Sequence, residues 1–464
     1  MRALSVQGAS SSAGKSLLVT ALARLLHRRG VDVVPFKAQN MSNNARVVEG
    51  GEIGTAQYLQ ALAAGVEPDV RMNPVLVKPE GDERSQVVVL GRPDLALSRL
   101  PWGERRALLW PPIADALAAL QAEHELVLIE GAGSPAEINL RDTDLANMRT
   151  AKAAGARVLV VADIDRGGAF ASLYGTWALL AEDERALVDG FVLNKFRGDA
   201  SLLAPGPERL EELTGVATVG VVPWLRHGLP DEDGAFVTTM GGMGPVVAIV
   251  RYPTASNLDE FKQLEQVARV RWAVAPRDLD GASLVVLPGS KHVATDLAWL
   301  RATGLAAALP ACEAPVLGIC GGLQMLGERI VDAAGVDGSA DGLALLPLST
   351  EFRADKTAHR ISTRFAQLDE PWSALSGAAL RGYEIRHGET TATAPVAEAL
   401  PGGRGFARGR VLGVSVHGLF EQRHLVEALV GAAPSRSLDD AFDELADVVE
   451  ARLDLSFLLA RAAR

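Results

Sequence analysis

The sequence predicts an α/β protein with two doubly wound domains, one over residues 1–240 and one over residues 245–464. Three observations lead to this prediction. Short apolar runs of strand length alternate with stretches of helical spacing, which is typical of a parallel sheet covered by helices. A segment rich in Pro, Gly and acidic residues, 230–245, interrupts that alternation. Each half also contains its own strand–turn–helix motif with reactive side chains, so we expect two sites.

The composition indicates a globular enzyme. At 464 residues, 48% of them hydrophobic, the chain is long enough for two or three domains. A formal net charge of −11 without a long basic run disfavours nucleic acid and anionic membranes as partners. The apolar runs are too short for a transmembrane helix, and the first strand leaves no room for a signal peptide. Two cysteines are too few for a disulfide framework, so we expect a cytoplasmic protein.

The first half is organised around a loop of small residues, Gly8–Ser16. The loop lies between an apolar run at 4–6 and a run with helical spacing at 17–26. Strand, small-residue loop and helix form the context that a phosphate-binding loop requires. The loop is one residue longer than the usual Walker A pattern. A simple Gly/Ser turn is the alternative, and it is disfavoured because Gly-Lys-Ser stands at the head of an apolar helix.

Five residues of this loop are predicted to bind a nucleotide. Gly8, Ser12 and Gly14 let the backbone curl so that its N–H groups face an anion at the helix N-terminus. Lys15 is placed to reach the terminal phosphates, and the Ser16 hydroxyl is placed to bind Mg²⁺. The expected ligands are therefore ATP and Mg²⁺.

Polar side chains follow other predicted strands at the edge of the sheet where ligands of parallel sheets bind. Lys37 and Asn40 follow the second strand and suit a substrate or phosphate, although a solvated turn explains them equally well. Glu130 closes a buried strand at 125–130. We expect this carboxylate to contact Mg²⁺ together with Ser16.

Two further strands end in candidate binding residues. Asp163 and Arg166 follow one of them and suit a metal, a phosphate, a substrate or an interdomain contact. Asn194 and Lys195 follow the next strand. An Asn-Lys pair after a strand commonly contacts the base in P-loop proteins, so we expect these two residues to bind the nucleotide.

The second half is organised around Cys320 in the sequence Gly-Ile-Cys-Gly-Gly. A strand leads into a sharp turn flanked by glycines and then into a helix, which is the thiol counterpart of the Gly-x-Ser-x-Gly nucleophile turn. His417 ends another strand and is the expected base. The backbone N–H groups of Gly289 and Gly321 are candidates for an oxyanion hole.

Together these motifs resemble the adenosylcobyric acid synthase family of glutamine-dependent amide ligases, over nearly the whole chain. The first half resembles the dethiobiotin-synthetase-type P-loop fold, and the second half resembles a class I glutamine amidotransferase domain. The resemblance is carried by residues 8–16, 35–42, 72–74, 130–140, 163–168, 194–199, 287–291 and the turn at Cys320.

The resemblance implies a division of labour between the halves. Cys320 would release ammonia from L-glutamine, and ATP would activate substrate carboxylates as acyl phosphates in the first half. The implied substrate is a corrinoid, adenosylcobyrinic acid a,c-diamide, which is amidated at its b, d, e and g carboxylates. Nothing in the residues themselves identifies a corrinoid. A homo-oligomer is compatible with the sequence.

The chain departs from the family pattern in three places and from the wider class I pattern in a fourth. Asn43 stands where the family usually has Leu, and Thr55 stands where it usually has Arg. The Gly-Tyr-Glu-Ile-His motif is displaced by one residue, so no role is assigned to His387. Leu419 occupies the position where class I amidotransferases usually carry the triad Glu, which members of this subfamily lack. A Cys–His dyad is therefore implied, with another group orienting His417.

Two alternative functions are compatible with parts of the pattern. A cobyrinic acid a,c-diamide synthase performs the same chemistry on different carboxylates. A ParA/MinD-like ATPase switch carries a signature lysine five residues before the P-loop lysine, where this chain has Ser10, and this chain lacks a basic membrane-targeting tail. The acid-rich amphipathic segment 439–464 is instead predicted to be a docking helix.

Overall fold

The chain forms two units in the computed structural model, which describes residues 2–79, 85–225, 227–229 and 244–454. The first unit consists of Met1–Asp233 together with Ser437–Arg464, and the second consists of Gly234–Arg436. The C-terminal segment thus belongs to the first unit, whereas the sequence analysis assigned all of 245–464 to the second domain. Residues 230–243 of the predicted linker lie outside the described residues.

The first unit is built on a parallel sheet of six strands. The strands of this unit are β1 Ala3–Gly8, β2 Val33–Phe36, β3 Gln39–Met41, β4 Ala45–Val48, β5 Gly51–Gly54, β6 Val75–Pro79, β7 Ser85–Val89, β8 Arg92–Asp94, β9 Leu126–Glu130, β10 Arg157–Asp163, β11 Val188–Phe196 and β12 Thr218–Pro223. The main sheet has the order β12-β11-β10-β1-β9-β2, and all its pairs are parallel. The segments after β1, β2, β9, β10 and β11 therefore leave the sheet at one edge.

The remaining strands of this unit form two small sheets. One has the order β3-β6-β7-β8 and the other pairs β4 with β5. The helices are α1 Lys15–Arg28, α2 Thr55–Ala63, α3 Leu95–Arg99, α4 Trp102–Glu123, α5 Met148–Ala154, α6 Ala169–Leu179, α7 Glu182–Arg185 and α8 Gly206–Thr214.

Helices cover both faces of the main sheet, and its central strands are apolar on both sides as a consequence. Along β9, Val127 and Ile129 pack on one face, whereas Leu126 and Leu128 pack on the other. The alternation follows from the two-residue period of a strand. Because the whole strand is buried, Glu130 at its end is carried into the interior as well.

The second unit contains a seven-stranded sheet with the order β15-β13-β16-β18-β25-β24-β23. The strands of this unit are β13 Val246–Val250, β14 Ala255–Ser256, β15 Arg269–Ala273, β16 Leu284–Leu287, β17 Gly289–Ser290, β18 Val316–Ile319, β19 Arg329–Val331, β20 Ala340–Asp341, β21 Leu348–Arg364, β22 Ala379–Ala392, β23 Ala397–Leu400, β24 Gly405–Arg408 and β25 Val411–Val414. The pairs from β15 to β25 are parallel, whereas β24 and β23 are antiparallel, an edge that the sequence analysis did not predict.

The helices of the second unit are α9 Val293–Ala302, α10 Leu305–Ala311, α11 Gly321–Leu326 and α12 Arg423–Val430. Two elements outside the main sheet matter for the site. One is the 3₁₀ helix Leu258–Gln266, and the other is the long antiparallel hairpin of β21 and β22. Among the residues with a described conformation, no helix combines the length and the apolar character needed to cross a membrane.

The last helix, α13 Leu438–Arg452, packs against α1 of the first unit. Its apolar side joins the same core cluster as the apolar side of α1. Its acidic side pairs with arginines of α1: Arg24 lies 2.8 Å from Asp443, and Arg28 lies 2.6 Å from Asp447. The predicted docking helix thus docks on the helix that follows the phosphate loop, while its predicted extension over 455–464 lies outside the described residues.

We predict that Phe442→Ala lowers the free energy of unfolding of the first unit and leaves the second unit unchanged. Phe442 is 1% exposed and packs in the core cluster that contains Leu22, so its truncation leaves a cavity that costs about 3–5 kcal/mol. The measurement is thermal unfolding with and without ATP, because a ligand raises the midpoint of the unit that binds it.

The control is Glu444→Ala on the exposed side of α13, which should change stability by less than about 0.5 kcal/mol. If Phe442→Ala left the ATP-sensitive transition unchanged, α13 would not be part of that unit.

Candidate active sites

The loop after β1 has the curled conformation of an anion-binding turn. Gly14 is the N-cap of α1 with a φ of 94°, and Ser12 has a φ of 57°. A methyl group added at Gly14 would collide with the amide of Asn194. Glycine is thus required at this position both for its backbone conformation and for the close approach of Asn194.

The lysine of the loop is almost buried and bends back over it. Lys15 Nζ lies 3.2 Å from the carbonyl oxygen of Ser10 and 3.1 Å from that of Gly133. Lys15 is 7% exposed. Its ammonium is therefore held between the loop and the turn that follows β9, at the head of α1.

Glu130 is the centre of the first site. Its Oε1 accepts hydrogen bonds of 2.8 Å from both Ser16 Oγ and Lys37 Nζ. Its Oε2 accepts from Gln60 Nε2 at 2.5 Å and lies 3.4 Å from Gln57 Nε2. Glu130 is 0% exposed, so these donors take the place of water around its charge.

Sequence reasoning did not identify Gln57 and Gln60. Both lie on α2, three residues apart, and therefore on one face of the helix. Both are 0% exposed, in a helix whose other buried residues are mainly small or apolar. Two amides at helical spacing within an apolar pattern are the signal that points to them.

Lys37 and Asn40 are buried rather than solvated. Their exposed fractions are 4% and 2%. Asn40 Nδ2 donates to Gln57 Oε1 at 3.0 Å, which connects Asn40 to the group around Glu130. The structure thus brings Ser16, Lys37, Asn40 and Glu130 together, as expected for residues at one edge of a parallel sheet.

The oxygens of Ser16 and Glu130 fit a magnesium ion. A hydroxyl and a carboxylate are hard ligands, and the two oxygens lie 2.8 Å apart. Within the described parts of the chain, no cluster of three or more His, Cys, Asp or Glu residues could hold a metal ion. Nucleotide phosphates and water would have to supply the remaining ligands, which is common for Mg²⁺.

The residues after β10 and β11 lie beside the same loop. Asn194 Nδ2 donates to the carbonyl of Ala13 at 2.9 Å. Lys195 Nζ lies 2.7 Å from the carbonyl oxygen of Ser12 and 2.9 Å from Asp163 Oδ2. Arg166 approaches Asp163 at 3.5 Å, but its side chain is 70% exposed. Three of these predicted residues thus contact the phosphate loop or its neighbours, and Arg166 lies at the periphery.

Asn194 has one polar atom without a partner. The residue is 1% exposed, and its Oδ1 is buried without a hydrogen bond from the described residues. A buried acceptor of this kind normally has a partner, so it suits a donor on a ligand.

In the second unit, Cys320 lies in a strained turn between β18 and α11. Its φ of 52° and ψ of −106° are unfavourable for a residue with a side chain. The Cys320 N–H donates to the carbonyl of Val414 at 2.7 Å, which fixes the turn to the neighbouring strand β25. Cys320 Sγ lies 3.4 Å from the carbonyl oxygen of Ile385 on β22. These are the features of a nucleophile turn.

His417 is held on three sides. Its Nδ1 lies 3.0 Å from Glu260 Oε1, and the following N–H, of Gly418, donates to Glu260 Oε2 at 2.9 Å. Its ring stacks on Tyr383 at a centroid distance of 5.2 Å. The hydroxyl of Tyr383 accepts a hydrogen bond of 2.9 Å from Asn257. His417 is 1% exposed, so its orientation is determined by protein groups rather than by water.

The surroundings of His417 favour its protonated form. Burial by itself lowers the pKa of this imidazole. Hydrogen bonds and charge attraction from Cys320 and Glu260 outweigh burial and raise the pKa to about 10. The imidazole is therefore coupled both to the thiol and to the carboxylate.

The predicted oxyanion glycines border the same pair. A methyl group added to Gly289 would lie 3.0 Å from Cε1 of His417. A methyl group added to Gly321 would lie 2.6 Å from the backbone nitrogen of Ser290. Only a residue without a side chain allows these backbones to approach so closely. Their part in an oxyanion hole stays a prediction.

Asp296 supports the segment that contains Gly289, and sequence reasoning missed it. Its Oδ2 accepts hydrogen bonds of 2.6 Å from both Ser290 Oγ and Thr254 Oγ1. Asp296 is 0% exposed, and burial raises its pKa despite these bonds. Because it connects Thr254, which directly precedes β14, and Ser290 of β17 to α9, it fixes the backbone beside the thiol.

The carboxylate beside His417 was not predicted either. Leu419, at the position where class I enzymes usually carry the acid, is 0% exposed and part of the apolar core. Glu260 instead comes from the 3₁₀ helix Leu258–Gln266, 157 residues away in sequence. No fixed spacing relates it to the histidine, so the sequence carried no signal for the pair.

Comparison with known proteins agrees with this arrangement. The family model for the CobQ/CobB/MinD/ParA nucleotide binding domain matches residues 4–228. The family model for the CobB/CobQ-like glutamine amidotransferase domain matches residues 246–425. Each matched range contains one of the two sites described above.

Relatives match over almost their full length. The cobyric acid synthase of Variovorax paradoxus (strain S110) is 55% identical, covering 98% of this chain and 98% of that protein. The cobyric acid synthase of Paracidovorax citrulli (strain AAC00-1) is 56% identical, covering 100% of this chain and 99% of that protein. That of Polaromonas sp. (strain JS666) is 54% identical, covering 97% of this chain and 96% of that protein. The chain is thus an enzyme, an amidating ligase with a nucleotide-binding and a glutamine amidotransferase domain, and it belongs to the cobyric acid synthase family.

Proposed function

We propose that the enzyme converts adenosylcobyrinic acid a,c-diamide to adenosylcobyric acid by amidating the b, d, e and g carboxylates with ATP and glutamine. The single observation that supports this most strongly is the presence of two chemically complete sites in one chain. One is a phosphate loop with a buried carboxylate, and the other is a thiol in a nucleophile turn coupled to an imidazole. The relatives are named cobyric acid synthases, and we base the proposed corrinoid substrate on that name.

At the thiol site, the sulfur of Cys320 attacks the side-chain amide carbon of glutamine. The resulting oxyanion accepts hydrogen bonds from backbone N–H groups near Gly289 and Gly321. The C–N bond then breaks as His417 gives a proton to the departing nitrogen, which leaves as ammonia. Water, giving a proton to the same imidazole, attacks the thioester, and glutamate leaves as the thiol re-forms.

At the phosphate loop, an oxygen of the substrate carboxylate attacks the γ-phosphorus of ATP and ADP leaves. Lys15 and the N–H groups of the loop stabilise negative charge on the phosphates. Ammonia attacks the carbonyl carbon of the acyl phosphate, and phosphate leaves from it as the amide forms. Bound at Ser16 and Glu130, Mg²⁺ would neutralise phosphate charge.

Two other buried side chains, those of Asn194 and Lys37, bind the nucleotide and the substrate in this proposal. Asn194 Oδ1, which has no protein partner in the described residues, accepts a hydrogen bond from the amino group of the nucleotide base. Lys37, now 2.8 Å from Glu130, is the group that meets the substrate carboxylate or the transferred phosphoryl group.

Synthesis of the a,c-diamide is the nearest alternative, because it uses the same two half-reactions. Incubation with ATP, glutamine and each corrinoid in turn separates the two functions. We expect the a,c-diamide to be consumed and cobyrinic acid to persist. Consumption of cobyrinic acid alone would contradict the proposed substrate.

We predict that Cys320→Ala abolishes amidation driven by glutamine and leaves amidation driven by ammonium salts intact. Free ammonia bypasses the thiol, whereas glutamine requires it. The measurement is mass-spectrometric quantification of the amidated corrinoid with each nitrogen source. Cys312→Ala, which changes the one other cysteine of the chain, is the matched control and should retain both activities. Loss of both activities in Cys320→Ala would give the cysteine a structural role.

We predict that Lys15→Ala reduces ATP-dependent amidation roughly 100-fold or more with either nitrogen source, because charge on the transferred phosphoryl group is no longer stabilised. Hydrolysis of glutamine stays measurable as glutamate release. Lys152→Ala, at a 44% exposed lysine side chain on α5, should leave the rates unchanged. Equal rates for Lys15→Ala and the wild type would contradict the assigned role of the loop.

We predict that Gln60→Ala weakens Mg²⁺-dependent ATP binding roughly 10–100-fold, because groups that orient a metal ligand have effects of this size. Gln60 donates to the oxygen of Glu130 that does not bond to Ser16. The measurement is calorimetric titration of ATP with and without Mg²⁺, which needs no turnover. Gln121→Ala, which removes an amide bonded to the carbonyl of Ala154, is the control. An unchanged Mg²⁺ dependence in Gln60→Ala would exclude the orienting role.

A further inference from the structure

The acid that faces His417 comes from an unexpected element. Leu419 is in the core, and the carboxylate beside the imidazole belongs to Glu260 on the 3₁₀ helix Leu258–Gln266. Both Glu260 and His417 are almost inaccessible, at 0% and 1% exposure. A buried carboxylate requires compensation by donors or by positive charge.

We propose that Glu260 is a positioning residue of the glutaminase site, which fixes the proton on Nδ1 of His417 and so directs Nε2 to Cys320. It supplies from a separate element what an acid at position 419 supplies in other class I sites. This inference rests on the proposed glutaminase function of Cys320 and His417.

The two oxygens of Glu260 have different partners. Oε1 is 3.0 Å from His417 Nδ1, and Oε2 accepts the N–H of Gly418 at 2.9 Å. An ionised carboxylate can only accept hydrogen bonds, so the proton of this contact must lie on Nδ1. The other ring nitrogen, Nε2, is then the one that exchanges a proton with the thiol.

The other groups around the ring of His417 hold it in place but do not determine which of its nitrogens carries the proton. Tyr383 stacks on its face, and the backbone of Gly289 lies beside its Cε1 edge. Among the described residues, the titratable groups that act on the imidazole through hydrogen bonds and charge are Cys320 and Glu260, and Tyr383 contacts it through its ring. Among these, Glu260 is the group whose contact with Nδ1 determines which nitrogen carries the proton.

Replacement by glutamine distinguishes positioning from a purely structural role. His417 and Gly418 bond to different oxygens of Glu260, and in Glu260→Gln one of these two positions becomes an N–H₂ group that can only donate. If the oxygen remains on the Gly418 N–H, the amide donates to Nδ1 and forces the proton onto Nε2. That tautomer cannot take the proton of the thiol, as the corresponding Asn substitution in the serine protease triad demonstrates.

The experiment measures glutamate release from glutamine, in the presence of ATP and the corrinoid, for the wild type and Glu260→Gln. We expect kcat to fall ~100-fold or more while KM changes little, because the loss is one of proton transfer. Amidation driven by ammonium salts stays at the wild-type rate. Glu265→Gln on the same 3₁₀ helix, where Glu265 pairs with Lys262 at 2.8 Å, is the matched control and should change neither activity. Glu260→Asp, which retains an acceptor, should recover part of the loss.

Two further measurements test the mechanism of the effect. The rate at which iodoacetamide alkylates Cys320 near pH 7 should fall about tenfold in Glu260→Gln, because the imidazolium that favours the thiolate is less stable. In the ¹⁵N-labelled wild-type enzyme, NMR should detect a hydrogen-bonded proton on Nδ1 of His417. A wild-type His417 without a proton on Nδ1 would overturn the proposal whether or not any variant folds.

Other outcomes distinguish a failure of the positioning role from a failure of the proposed function. Glutamine hydrolysis at the wild-type rate in Glu260→Gln would refute the positioning role and leave the proposed function intact. If Glu260→Gln lowered the thermal midpoint and lost amidation with both glutamine and ammonium salts, Glu260 would have a structural role and the inference would be overturned. If the wild type released no glutamate from glutamine at all, the proposed function itself would fail.

Discussion

The free-energy cost of removing a carboxylate from water determines the architecture of both sites. Glu130 and Glu260 are each 0% exposed, and each lies at the centre of its unit's site. An uncompensated buried charge costs several kcal/mol, so donors must converge on it. Around Glu130 they come from α1, from the end of β2 and from α2. Around Glu260 they are an imidazole and a backbone N–H that follow β25. Each carboxylate thus fixes the mutual positions of segments that are distant in sequence.

Some residues of each site could be predicted from the sequence, whereas others could not. The phosphate loop and the thiol turn are contiguous motifs, in which small residues and a reactive side chain occur at fixed spacing. Residues at strand ends, such as Lys37 and Glu130, followed from the rule that parallel strands present their carboxyl ends at one edge. Glu260 acts through a contact that is distant in sequence, and only the folded chain reveals it. Gln60 left only the weak signal of a second amide, Gln57, at helical spacing on the same helix. The absence of an acid at position 419 indicated that a partner for His417 was missing, but not where it comes from.

The sheet of the second unit stabilises the strained backbone of the thiol turn. Cys320 has a φ of 52°, a conformation that costs of the order of 1–3 kcal/mol. Its N–H is bonded to β25, the strand that leads to His417, and β18 and β25 are adjacent and parallel. The sheet therefore maintains the strained turn and also sets the distance between the nucleophile and its base. The antiparallel hairpin β21–β22, which sequence patterns did not predict, adds Tyr383 against the ring and the Ile385 carbonyl near the sulfur.

The first unit is discontinuous, because the C-terminal segment that the sequence analysis assigned to the second domain belongs to it. Composition breaks at 230–245, but the core of the nucleotide-binding unit is not complete at that point. Leu18 and Leu22 on α1 share a cluster with Phe442 of α13, beyond the whole second unit in the chain. A fragment that ended at residue 240 would leave this apolar face of α1 uncovered next to the phosphate loop. Amphipathic spacing predicted a docking helix correctly. It docks on α1, whose apolar side shares its core cluster and whose arginines pair with its acidic side.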